Sequence, residues 1–487
     1  MTEHSAASVL GTSAPAARLE PDAIGVAQDT VIGMASSAPA ASVALTLPFL
    51  VAAVAYGTGP IIILTAIPML IIANAYRRLN LWNANCGASF EWVGRAISPY
   101  LGFLTGWLMI AAYIIATVSG VEVLGPSVLA VFSSSSTSSV WANIGIGTGV
   151  GVVMLVIAIV GIKITARAQV SMALVEYAIL IGFAIVGLVF VLNHHAGTFG
   201  FTSGWLSFNG IGGKGDAVAG FLIAVFMFTG WDGTVYVNEE VKHRRVNPGR
   251  AAIIAVALLA VIYTLATVGL QGTVSPAKLQ ANAPDVLVYV ANALGGSGWA
   301  KVMALSLALS VIATTGTGIV LTARMVYGMA SYRALPQTLG NISRRFATPV
   351  AASVVVGVLI IALTWVYLLA TSVENAFDDV VDVTGLLFAV FYILTALATI
   401  VYYRRRVFGG AWDFIVLGVL PLGAAGFLGW MFVRSVQLSA ASERWSLVGI
   451  LAVGIVLMLF ARFVAKSQFF AIPRESDSER RGAAAGR

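Results

Sequence analysis

Charge is what this chain lacks. Asp, Glu, Lys and Arg together make up 10% of its 487 residues, against about a quarter in an ordinary soluble domain, so a water-soluble protein of this size is excluded. Cysteine is nearly absent as well. Cys86 stands alone, which rules out an intrachain disulfide and any multi-cysteine metal centre and leaves the thiol as a small buried residue. His194 and His195 fall in an expected loop, far in sequence from any acid partner, and the chain carries no Walker loop and no dinucleotide fingerprint. An enzyme, a nucleotide-driven pump and a bound cofactor are therefore not expected. The opening stretch MTEHSAASVLGTSAPAARLEPD lacks the apolar core of a cleavable signal peptide.

Hydrophobicity fills the place of charge, at 59% of residues. Apolar runs recur along the whole chain, and many reach the ~20 residues that cross a bilayer as a helix. The punctuation of Gly, Pro and charge predicts spans at 24–52, 57–77, 98–121, 140–162, 169–193, 216–241, 249–271, 299–332, 349–371, 380–403, 411–434 and 445–467. This is an all-α polytopic membrane protein of about 12 transmembrane helices. Residues 1–23 and 468–487 are poor in apolar side chains and are expected as disordered tails, and SSSSTSS at 133–139 as a flexible connection.

The net charge of +7 does not imply nucleic acid, because the basic residues are spread over short loops beside apolar runs. With a cytoplasmic N-terminus, seventeen Lys and Arg fall on inner loops and helix ends, among them Arg77, Arg78, Lys163, Lys242, Arg244, Arg245, Arg344, Arg345 and Arg404. Only Lys214, Lys278, Lys301, Arg434 and Arg444 fall outside, and the outer segment TSVENAFDDVVD is purely acidic. The positive-inside bias therefore predicts both termini in the cytoplasm.

Two spans are interrupted. VIGMASSAPAAS (31–42) places Ser36, Ser37 and Pro39 inside the first, and Pro39 lacks an N–H that a continuous helix uses. The alternative for this stretch is a simple kink. FTGWDG (228–233) interrupts the sixth, where Asp232 near mid-bilayer costs at least ~2.5 kcal/mol unless paired or hydrated. Asp232 either caps a second half-helix or faces the solute cavity as an acceptor. Paired breaks at matching places in two halves are how transporters build a midplane binding site, and five spans per repeat make the second copy inverted.

The residues then resemble the amino acid-polyamine-organocation transporters. GFLIAVFMFTGWDGTVYVNEEVKHRRVNPGRA is similar to that family's sixth helix and the start of its seventh, SPYLGFLTGWLMIAAY to its third, GIKITARAQVSMALVEYAIL to its fourth loop and fifth helix, and TGIVLTARMVYGMASYRALPQTLGNISRRFATP to its eighth. The resemblance covers about residues 24–467. It implies a five-plus-five inverted repeat of the leucine-transporter type with two added helices: 24–193 as the first repeat, 194–215 as an extracellular loop, 216–403 as the second repeat and 404–467 as the last two helices. It also implies secondary active transport of amino acids or related amines across the plasma membrane, by a monomer or homodimer. Polyamines, organic cations or nucleobases are the alternative solutes, and a channel or receptor the alternative class.

Carried over by position, Ser36, Ser37, Ala38, Pro39 and Ala40 would bind a substrate carboxylate through backbone N–H groups. Thr229, Gly230, Trp231, Asp232 and Gly233 would offer carbonyls to its amine, and Phe226 would be a gating aromatic. The first break departs from the family's Gly-rich turn, reading Ser-Ser-Ala-Pro-Ala. Glu176, two turns into the fifth span, needs a partner or a proton: it carries the coupling proton, as Asp232 also could, or pairs with Arg167 or Arg324. Sodium, through Thr314, Thr315 and Thr317, is the less favoured ion. Glu239 and Glu240 form an inner gate with Lys242, Arg244 and Arg245, or else a solvated ion cluster of little consequence.

Overall fold

The computed structural model describes residues 18–132, 139–195, 198–201, 205, 216–282, 285–370 and 376–475, with the side chains of 376–382 left aside. Among them are 12 helices long and apolar enough to cross a membrane. The first is split into α1 (Val26–Ser36) and α2 (Pro39–Val54). Then come α3 (Thr58–Trp82), the short amphipathic α4 (Ser89–Ala96), α5 (Pro99–Phe132), α6 (Val140–Val160) and α7 (Ile162–Leu192). Helix α8 (Ala217–Met227) gives way to 3-10 turns at Trp231–Val235 and Asn238–Glu240. The remainder is α9 (Asn247–Leu270), the short α10 (Pro276–Ala281) and α11 (Val286–Gly295), α12 (Ser297–Ser331), α13 (Val350–Ala370), α14 (Ala376–Tyr402), α15 (Ala411–Leu438) and α16 (Ala441–Val464).

Helix ends follow local chemistry. Asp216 caps α8 by accepting from the N–H groups of Val218 and Ala219 at 2.9 and 3.1 Å, and Ser139 caps α6 at Ala142. Helix α5 runs to Phe132, well past the expected end at 121. Glu122, just past that expected end, accepts a 3.0 Å hydrogen bond from Tyr367 on α13, and the helix continues through it. The 133–138 part of the serine run lies outside the described residues.

The two halves pack as counterparts. The broken first helix meets α8 and its 3-10 turn, α3 meets α9, α5 meets α12, and α6 meets α13. Each is the same-numbered helix of its own set of five, so helices related by the repeat face one another across the centre. Among the described residues the α5–α12 contact is the most extensive, and Ser297–Ser331 is 83% buried over its apolar window against 17% for Ala441–Val464. The core is thus the paired helices, and α16 is a peripheral element whose exposed Val, Phe and Leu suit lipid.

Both tails are shorter than composition implied. Within the stretch expected as disordered, Leu19 is buried and Glu20 pairs with Lys163, and at its edge Ile24 exchanges backbone hydrogen bonds with Glu240 and Lys242 at 3.1 and 2.9 Å. At the other end Gln468–Ala471 forms a 3-10 turn, with Phe469 fully buried and stacked 4.1 Å from Phe90. A few apolar side chains in each tail are enough to hold it against the helix bundle. Residues 1–17 and 476–487 lie outside the described residues.

Candidate functional site

Helix α1 stops because of Pro39, whose ring clashes with the carbonyl of Ala35 and which has no N–H to give. Ser37 keeps a helical conformation, Ala38 turns left-handed at φ 45 and ψ 65, and Pro39 opens α2 as its first residue. At that position the missing N–H costs nothing, since first-turn donors have no intrahelical acceptor. The stretch is a full break and not a kink.

The donors of the α2 first turn are already taken. Ala40 donates to Glu176 Oε1 at 2.9 Å and Ala41 to Ser310 Oγ at 3.3 Å. The Glu176 carboxylate therefore sits at the positive end of the α2 dipole, where an anion is stabilised. This corrects two expectations: Ala40 and Pro39 present no free N–H to a solute carboxylate, and Glu176 pairs with neither Arg167 nor Arg324.

The second break follows from Gly230, held at φ 100, where a side chain is strained. Ser36 Oγ donates to the Gly230 carbonyl, joining the two breaks directly. Gly33 permits the approach, because a Cβ there would lie 2.8 Å from the Trp231 carbonyl. Asp232 is fully buried, with Oδ1 accepting from Tyr392 at 2.7 Å and lying 3.2 Å from the Tyr113 hydroxyl. It is not among the residues lining the cavity described next. Both tyrosine hydroxyls meet Oδ1, while the buried Oδ2 has no hydrogen-bond partner among the described residues.

Between the breaks lies a cavity of about 60 Å³. Its walls include Ser36, Ser37 and Ala38 from the first break and Phe226 and Thr229 from the second. Pro39, Ala40, Gly230, Trp231 and Gly233, expected to contact the solute, are not among the residues lining it. Ser42 on α2, Thr117, Ser119 and Gly120 on α5, and Thr314 and Thr315 on α12 are its other polar and glycine lining, with Ala41, Leu45, Ala116 and Val311 as the apolar part. The α5 residues escaped sequence reasoning, since Thr and Gly spacing on an apolar helix is also ordinary packing. The signal available was that α5 and α12 are the third helices of their repeats. Thr314 Oγ1 lies 2.8 Å from the Ala35 carbonyl and 2.9 Å from that of Ser310, and Thr315 Oγ1 donates to Val311.

At the basic end, Glu240 meets Arg324 of α12 in a bidentate pair at 3.0 and 3.1 Å, with both side chains fully buried. Glu239 accepts from the Cys86 N–H at 3.0 Å, and burial raises its carboxyl above the usual range. Neither acid forms an ion pair with Lys242, Arg244 or Arg245 among the described residues, so the expected local cluster is replaced by a bond across two helices. Arg324 lies within the apolar helix α12, and its guanidinium reaches Glu240 across the helix packing.

Comparison with known proteins adds the following. The amino acid permease family model matches residues 28–473. The chain is similar to the Asc-type amino acid transporter 1 of Homo sapiens, 30% identical over 141 residues, or 29% of this chain and 27% of that one. It is also similar to the low-affinity putrescine importer PlaP of Escherichia coli (strain K12), 24% identical over 331 residues, 63% of this chain and 67% of that one. The match thus spans about a quarter of the length of the Asc-type relative, at 27%. Among solved structures it is similar to MhsT in complex with L-phenylalanine, with a TM-score of 0.58 at 14% identity, covering 85% of this chain and 99% of that one. At that identity the likeness shows the fold, which is the five-plus-five arrangement expected.

Proposed function

The chain belongs to the amino acid permease family, matched over residues 28–473, and from that premise we propose that it is a secondary transporter moving small amino acids or related amines by alternating access. The observation that carries this reading is the meeting of two broken helices, bonded through Ser36 and Gly230, around one cavity. Backbone interrupted inside protein can rearrange without leaving polar groups in lipid.

The cavity, at about 60 Å³, exceeds the ~10–15 Å³ one water needs and suits a solute of a few heavy atoms. Its wall carries hydroxyls and no carboxylate, which favours a solute that brings its own anion over a dication. The likeness to a putrescine importer keeps a small amine as the second reading. Phe226, on the wall at the end of α8, closes over the solute.

Glu176 carries the coupling proton. Ionised, it holds the Ala40 N–H at the start of α2; protonated, it gives up the charge that the helix dipole favours and loosens the α1–α2 break. The Glu240–Arg324 pair, with Glu239 on the Cys86 backbone, latches the inner exit. The distribution of basic loops supports a plasma-membrane protein with both termini cytoplasmic, and the cavity within one chain supports the monomer as the transporting unit. No enzymatic role is proposed.

A thermal-shift screen of the purified protein tests the reading. A ligand at a hundred times its Kd stabilises by about 2.7 kcal/mol, so small zwitterionic amino acids should raise Tm. Absence of a shift with every amino acid and amine would overturn it.

A further inference from the structure

A second cavity, of about 430 Å³, lies at the opposite end of the molecule from the basic loops. It falls within the ~300–1,000 Å³ range of small-molecule sites. Pro126, Ser127 and Ala130 near the end of α5 form one wall, α11 another, and Ser297 to Lys301 at the start of α12 the third. Two charges of opposite sign face it, Asp285 and Lys301, both half-buried.

Asp285 precedes α11 at the position where an aspartate ordinarily caps the helix, yet its side chain makes no capping bond. Burial alone holds its carboxyl above the ordinary range, with no cation or hydrogen-bond donor offsetting it. Among the described residues neither Asp285 nor Lys301 forms an ion pair. A partly desolvated carboxylate and an ammonium that face one space without joining leave room for a molecule carrying the complementary charges. Asn282, Asn292 and Ser127 add neutral polar groups to the wall.

The cavity continues the seam that builds the central site. On α5, Ser127 lies two turns beyond Gly120 on the same face, about 10 Å further along at 1.5 Å per residue. On α12, Lys301 lies about 15 Å before Val311, which lines the central cavity.

We propose that this cavity is a separate outer binding site for a zwitterionic α-amino acid, with its ammonium on Asp285 and its carboxylate on Lys301. The proposal rests on the transport reading for its class of solute. Lys301 repels one end of a diamine, and Asp285 repels a simple carboxylate, so the site selects solutes that carry both charges. It captures them about two to three helical turns before the central cavity.

The test uses the full chain with Ala130→Cys, and separately Ser127→Cys, as reporters; the native Cys86 is buried. Modification by a small neutral methanethiosulfonate is timed with and without L-alanine, and L-alanine uptake by proteoliposomes is measured in parallel. L-Alanine at about ten times its half-protecting concentration should slow modification about tenfold by simple occupancy. Protection should vanish in Asp285→Asn and in Lys301→Gln, and neither putrescine nor lactate should protect. Protection that survives in both charge variants overturns the proposal, as does equal protection by lactate. Uptake without protection of either reporter overturns the outer site and leaves the transport reading standing; loss of both overturns both.

Discussion

Gly230 is the residue on which the two breaks depend. Its φ of 100 strains any side chain, and a Cβ would lie 2.6 Å from the Ser36 carbonyl oxygen, a backbone atom that cannot swing aside. Gly230→Ala should cost about 1–2 kcal/mol in backbone strain alone and, by parting the breaks, abolish transport while the protein still reaches the membrane; uptake and surface labelling check this. Glu176→Gln keeps an acceptor for Ala40 but cannot ionise. Uptake should lose its stimulation by external acid and its concentrative power, while exchange of labelled for unlabelled solute persists. A full pH profile retained by Glu176→Gln would remove Glu176 from coupling. At this scale the sequence was legible where chemistry is local: the Gly-Trp-Asp-Gly interruption and Pro39 both announced broken helix. It was not legible for Asp232, because the tyrosines that hold it, Tyr113 and Tyr392, come from α5 and α14, more than a hundred positions away.

Between elements, the Glu240–Arg324 pair ties the end of the interrupted sixth span to α12. Removing one partner leaves a buried charge, so Arg324→Met should destabilise by about 3–5 kcal/mol, while Arg324→Met combined with Glu240→Leu should recover most of it. Thermal unfolding in detergent reads the difference, and equal Tm loss in single and double variants would show that the ion pair is not what is lost. The charge run after Val237 suggested local pairing with Lys242 and its neighbours. Packing instead brought Arg324 across from a helix whose lone guanidinium gave no hint of its partner. Likewise Pro39 read in isolation as a lost donor, and only the register of α2 shows it standing where no donor is needed.

Across the whole molecule, the positions of the twelve spans followed from hydropathy because a bilayer imposes length and apolarity on every crossing. The packing of α3 with α9 and of α5 with α12 was not legible in the sequence, since apolar faces carry little record of which helix they meet. The C-terminal turn belongs to this scale too. Phe469 is fully buried against Gly94 and Phe90, so Phe469→Ala should cost about 3–5 kcal/mol and lower Tm; an unchanged Tm would show that this tail is a bystander. The central claim, that the cavity between the breaks is a carrier site exposed alternately to either side, is tested most directly by counterflow. Proteoliposomes loaded with unlabelled L-alanine should take up labelled L-alanine faster than empty ones and overshoot equilibrium, and Gly230→Ala should remove the overshoot. Uptake that is the same in loaded and empty vesicles would contradict the account.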